Sequence, residues 1–246
     1  MDHSDVNRDE LVDEIRKRVI EWEKKNWVPY PWRMGRTPYK VLIAELLLKR
    51  TTRQAVAREF PKFIQRFPDL YTVYSAPVEE VEEAFKHLGL YKQRAGQLKQ
   101  LTEAIIKRYG GRIPDKWEDL VALPGIGIYL AGAILSFGYG KRAPVLDSNV
   151  MRLLSRLTGI KVKRHESYLK ALWRLIPDEG HDYFNYGLID LGSLVCHYKK
   201  PRCRVCPLKD LCVLYAEGIG DNRRADKLRR VYRALLNDRC TKHVVS

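Results

Sequence analysis

"LPGIGIYLAGAIL", residues 123–135, decides how this chain is read. Gly125 and Gly127 make a tight turn, because glycine takes backbone angles that other residues resist. The apolar run that follows has the spacing of a helix burying Leu130, Ile134 and Leu135. A glycine turn feeding a helix N-terminus leaves backbone N–H groups open to a phosphate. With "WEDLVA" supplying a short segment before the turn, about residues 116–137 read as two helices joined by a glycine turn. An ordinary corner between two packed helices would look similar. Tyr129 fits neither reading by itself: it is a phenol at the exposed entrance of an apolar helix.

Helical periodicity extends outward in both directions. Leu11, Ile15, Val19 and Trp22 form one face of a first helix, and "YKVLIAELLLKRTT" is a second, buried at Leu42, Leu46 and Leu47. Val78, Val81, Phe85 and Leu88 share a face that ends near Gly89, and Leu98, Leu101 and Ile105 share another that stops at Gly110–Gly111. No stretch alternates as a strand does, so the expected fold is all-α, built of many short helices. From Asp221 the composition turns basic; Leu228, Val231, Tyr232 and Leu235 allow a short amphipathic helix, and a basic tail is the other reading.

The chain has 246 residues and a formal net charge of +15. Such a field favours a polyanion, nucleic acid first and an anionic membrane surface second. No run is apolar enough to span a membrane, and the polar start "MDHSDVNRDE" is neither signal nor transit peptide. These features predict an intracellular protein of the cytoplasm or nucleoid. Abundant Lys, Arg and Glu with scarce Asn, Gln and Met suggest a thermophilic prokaryote as its source.

Cys196, Cys203, Cys206 and Cys212 are spaced C-x6-C-x2-C-x5-C. In a reducing compartment this points to a metal centre rather than disulfides. Four thiolates suit zinc or a [4Fe-4S] cluster equally well by general rules. Cys240 is left over as a free thiol. "VLDSNVMRLLSR" places Asp147 before an apolar helix, where Asp is a good N-cap. Arg152 and Arg156, one turn apart, read as a solvated face. Glu45 lies on an apolar helix, where an ionisable group is costly unless paired or used; an Arg partner is its plain explanation.

The cysteine spacing and the LPGxG turn together resemble the helix-hairpin-helix DNA glycosylases of the endonuclease III and MutY kind. The resemblance runs from about residue 28 to 215. It implies a six-helix barrel over 34–142, an iron-sulfur cluster domain from 1–33 plus 143–216, and a basic C-terminal tail over 217–246. It also implies one [4Fe-4S] cluster on the four cysteines, a catalytic carboxylate at Asp147, and a partner that is double-stranded DNA containing a mismatch. A monomer that does not engage membranes is expected. In the MutY branch a Glu at the position of Glu45 handles the departing adenine.

Tyr129 then acquires meaning. Endonuclease III has a lysine at this position that forms a Schiff base and cleaves the strand; a phenol cannot form that imine. The expected reaction is hydrolysis without AP-lyase activity. MutY proteins usually have serine here, and the archaeal T/G-mismatch thymine glycosylases of the Mig type have tyrosine. "LLLKRTT" resembles the Mig-type R-R-T-T stretch, so Lys49 and Arg50 are expected to enter the gap left by a flipped base or to contact the opposite guanine. Leu123, Gly125 and Gly127 are expected at the DNA backbone, and Tyr91, Lys92 and Arg94 of "GLYKQRAGQLK" along the groove. Too little chain follows Cys212 for the extra C-terminal domain of MutY proteins. The favoured activity is removal of T, and with it U, opposite G. The alternatives are an adenine glycosylase acting opposite G or 8-oxoguanine, and a non-catalytic DNA-binding iron-sulfur protein.

Overall fold

The structure, a computed structural model, describes residues 7–161 and 165–237. Cys240 and the last part of the expected tail lie outside the described residues. Every regular element among the described residues is helical, as the apolar spacing predicts. None of these helices is long and apolar enough to cross a membrane.

The chain forms two compact units, one of residues 28–141 and one of residues 1–27 with 142–246. The first helix, α1 (Arg8–Asn26), starts at Asn7, whose side chain accepts a hydrogen bond from Asp9 N. Its buried face is Leu11, Val12, Ile15, Val19 and Glu23; Trp22 is only half-buried.

The unit of residues 28–141 carries α2 (Pro38–Leu48), α3 (Arg53–Arg66), α4 (Leu70–Ser75), α5 (Val78–Phe85), α6 (Tyr91–Tyr109), α7 (Trp117–Val121) and α8 (Ile128–Ala133). Thr37 and Thr52 cap α2 and α3 by accepting from Lys40 N and Ala55 N, each satisfying a backbone donor that the first turn leaves open. The long α6 ends at Gly110, whose φ of 59° suits the left-handed stop. Phe63, Phe85, Leu42, Leu47, Leu98 and Ile105 make its core. Beyond Ala133, α8 continues through Gly138 in a wider turn, with Tyr139 N donating to Ile134 O at 3.0 Å.

The other unit adds α9 (Ser148–Thr158), α10 (His165–Leu175), α11 (His181–Asp190), α12 (Val213–Gly218) and α13 (Asn222–Asn237) to α1. Helices α1 and α11 pack closely: a Cβ at Gly187 would stand 2.7 Å from Val19 Cγ1, so only glycine fits there. The basic segment after Asp221 is helix α13, with Ala225, Leu228, Tyr232 and Leu235 buried. Its Tyr232 hydroxyl donates to Leu211 O at 2.7 Å, and Arg224 donates to Asp210 O. The helix therefore braces the cysteine-bearing segment from behind.

Candidate active site and cysteine centre

The hairpin is seated by its apolar residues. Leu120, Leu123, Ile126 and Leu130 are buried, and Ile126 N donates to Leu123 O at 3.3 Å across the turn. Gly125 has φ +79°, a conformation that side chains rarely adopt. Gly127 caps α8 at φ −92° and ψ 179°, ordinary extended backbone, with no side chain bonding into that helix end. A Cβ added at either glycine would meet nothing within 4 Å. Neither backbone angle nor internal space demands glycine at 127. Leu123, expected at the DNA backbone, is a buried residue, 3% exposed.

Glu45 sits on α2 between buried Ala44 and Leu46 and is itself half-buried. The Tyr129 hydroxyl, from the first turn of α8, donates to Glu45 Oε2 at 2.8 Å. The misplaced phenol and the costly carboxylate are thus partners. The pair joins residues 84 apart in sequence.

Lys49 and Arg50 stand exposed in the turn between α2 and α3, and Tyr91 and Lys92 are exposed at the start of α6. Arg94 corrects the expectation that it borders a groove. It is 4% exposed and donates inward, to Gly89 O at 2.7 Å, to Thr51 Oγ1 at 2.9 Å, and to Leu46 O and Lys49 O. Burial pulls its pKa below the usual guanidinium range.

Asp147 belongs to the other unit and is the N-cap of α9. Its Oδ1 accepts from Val150 N at 2.7 Å and its Oδ2 from Asn149 Nδ2 at 2.8 Å. Half-buried rather than sealed, the carboxylate is fixed in orientation without being cut off from solvent. Asn149 Oδ1 in turn accepts from Arg152 Nη2 at 2.9 Å, and Arg152 donates to Gly192 O at 2.6 Å and Cys196 O at 2.9 Å. A continuous polar chain therefore runs from Asp147 to the first cysteine.

All four cysteines border one hollow, closed by Leu157, Leu208, Tyr215 and the stem of Arg156. Cys196 follows a widened turn, its N–H donating to Leu191 O at 2.7 Å. Single tight turns present the next ones, with Cys206 N donating to Cys203 O at 3.1 Å and Cys212 N to Lys209 O at 3.2 Å. Burial first, and the neighbouring thiols second, push Cys206 up to about 11; burial does the same for Cys212, also to about 11. Among the described residues no group of three or more His, Cys, Asp or Glu side chains is set to hold a metal ion, although all four cysteines border the same hollow. Arg152 and Arg156, expected on a solvated face, grip this segment. Arg156 donates to His197 O at 2.7 Å and Tyr198 O at 2.6 Å, and its Nη1 lies 3.4 Å from Cys196 Sγ. Their i, i+4 spacing ahead of the first cysteine was the only sign of this in the sequence.

Comparison with known proteins agrees with these features. Residues 43–178 match the family described as HhH-GPD superfamily base excision DNA repair protein. The thymine-DNA glycosylase of Aeropyrum pernix is 37% identical over 212 residues, 83% of this chain and 95% of that protein. The thymine/uracil-DNA glycosylase of Methanothermobacter thermautotrophicus is 36% identical over 190 residues, covering 76% of this chain and 86% of that one. The solved structure of a thermostable thymine-DNA glycosylase superposes with a TM-score of 0.81 at 30% identity, over 85% of this chain and 98% of that one. The chain belongs to the HhH-GPD superfamily of base excision DNA repair proteins.

Proposed function

We propose that the protein is a monofunctional DNA glycosylase that hydrolyses the N-glycosidic bond of T, and of U, mispaired with G. The observation that carries this reading is the Tyr129–Glu45 hydrogen bond of 2.8 Å at the head of the hairpin helix. By resemblance Tyr129 corresponds to the lysine with which the lyases of this superfamily form a Schiff base, and a phenol cannot form one. The bond also sets one hydroxyl against one carboxylate, polar groups that suit the edge of a flipped pyrimidine. The similarity to a thymine-DNA glycosylase and a thymine/uracil-DNA glycosylase supports the same substrates.

In this reading the base leaves the stack, because its bond to the sugar is out of reach within a duplex. The C1′–N1 bond breaks with its electron pair on the base, and positive charge develops on the sugar ring. Asp147, already oriented by Val150 N and Asn149, stabilises that charge and directs the water whose oxygen bonds to C1′; the proton this water loses balances the one the departing base takes up. Gly125 and Gly127 offer backbone N–H groups to a phosphate, and Lys49 and Arg50 face the opposite guanine. Cys196, Cys203, Cys206 and Cys212 would hold one [4Fe-4S] cluster. All four thiols border that one hollow, and burial favours the neutral form of Cys206 and Cys212, so a bound cation would be what ionises them at neutral pH. Such a cluster, ligated wholly by protein, staples the loop and offers no open position to substrate.

The adenine reading rests on Glu45, which sits where the MutY branch keeps its glutamate. A panel of T/G, U/G, A/G and A/8-oxoguanine duplexes decides. Release of T and U without strand cleavage is expected; cleavage of the adenine substrates alone would overturn the proposal.

A further inference from the structure

Arg94 is a buried cation for which the reaction itself has no use. Its guanidinium spans two turns that are far apart in sequence. Nε donates to Gly89 O at 2.7 Å, Nη1 to Leu46 O, and Nη2 to Lys49 O and to Thr51 Oγ1 at 2.9 Å. Among the described residues only two that are not glycine have positive φ: Arg50 at 57° and Leu90 at 62°. Each lies in one of the two turns that Arg94 grips. Both side chains are exposed, Leu90 by 48%. Left-handed backbone is disfavoured for a residue that carries a side chain, and it persists only where the surroundings over-determine it. Arg94 is the support common to both turns. A planar fork with five donors can reach carbonyls on two sides at once; the compact ammonium of lysine cannot.

We propose that Arg94 is a positioning residue for DNA engagement: it clamps the Lys49–Thr51 and Gly89–Tyr91 turns together, so that Arg50 and Leu90 are held outward as one fixed pair. Such a pair is pre-ordered to enter the duplex where a nucleotide has left it, and its entropy is lost in folding rather than on binding. The functional half of this inference rests on the glycosylase reading; the clamp does not.

The test compares the full chain with Arg94→Lys and Thr51→Val. In hydrogen exchange, Arg94→Lys should speed residues 48–52 and 88–92 together by about tenfold, with α1 and α13 unchanged. Thr51→Val removes one acceptor and should loosen 48–52 alone. Single-turnover release of T from a T/G duplex should fall by about 10- to 100-fold in Arg94→Lys. Affinity for undamaged duplex should stay within about threefold, since its phosphate contacts remain. Thymine opposite an abasic site, which is already poorly held, should recover most of the lost rate. Unchanged exchange in either segment of Arg94→Lys, or an equal loss of rate on both duplexes, overturns the proposal. If Arg94→Lys does not fold, unchanged exchange at 48–52 in Thr51→Val overturns it. If the unaltered protein releases no base, the glycosylase reading falls and the exchange result alone decides the clamp.

Discussion

Asp147 is held by two bonds with separable consequences. Its Oδ1 caps α9 through Val150 N, and its Oδ2 accepts from Asn149. Asparagine keeps an acceptor for the cap and loses the charge. Asp147→Asn should therefore leave the melting temperature nearly unchanged while cutting single-turnover base release by about 10³-fold or more. Asp147→Ala should lose the same activity and also about 1 kcal/mol of stability, the usual worth of a cap. Equal stability losses in the two variants would mean that charge, not capping, anchors the helix. Tyr129 invites the converse experiment, gain of chemistry. Tyr129→Lys restores an amine at the head of the hairpin helix and should give a protein–DNA adduct on borohydride treatment, which the unaltered chain should not. Tyr129→Phe removes the donor to Glu45 and should slow T release by about tenfold, the scale of one lost hydrogen bond to a charged group. Asp147 and the cysteines stood out in the sequence because local spacing marks them. Arg94, Arg152 and Arg156 did not. A charged residue on a helix reads as solvated, and only the folded chain shows that its nearest acceptors are carbonyls from 40 or more residues away.

At the scale of elements, helices were legible because their periodicity is local, and they emerged where the apolar spacing put them. Helix α13 shows where legibility ends. Its buried Leu228, Tyr232 and Leu235 form a visible stripe, but the surface receiving them comes from α9, α10 and α12, which no local pattern specifies. The hairpin is the element most open to test, because its two glycines answer different needs. Gly125 needs its φ of +79°; Gly127 needs neither a special φ nor space inside the protein. Gly127→Ala should then be neutral or stabilising by about 0.4–1 kcal/mol, through a less flexible unfolded chain. The same change puts a methyl group where a phosphate would approach, so affinity for duplex DNA should fall. Gly125→Ala should lose both stability and affinity. If Gly127→Ala bound DNA as well as the unaltered chain, the turn would be a corner and not a contact.

At the scale of the whole molecule, the +15 formal charge is the property least tied to any one element. It predicts DNA binding that weakens steeply with salt, because each phosphate contact releases a counterion. The formal charge overstates that steepness. Arg16, Arg94, Arg142, Arg152 and Arg156 all donate to backbone carbonyls within the protein, and guanidiniums so engaged are not free to bind phosphates. The slope of log K against log salt should therefore reflect about 5–8 contacts rather than 15, giving a value near −4 to −7. Titration of an undamaged duplex between low and moderate salt measures it directly. A slope shallower than about −2 would mean that the basic surface is not where DNA binds. A slope near the full formal charge would mean that DNA pulls the internal arginines outward, and with them the turns and the cysteine segment they hold in place.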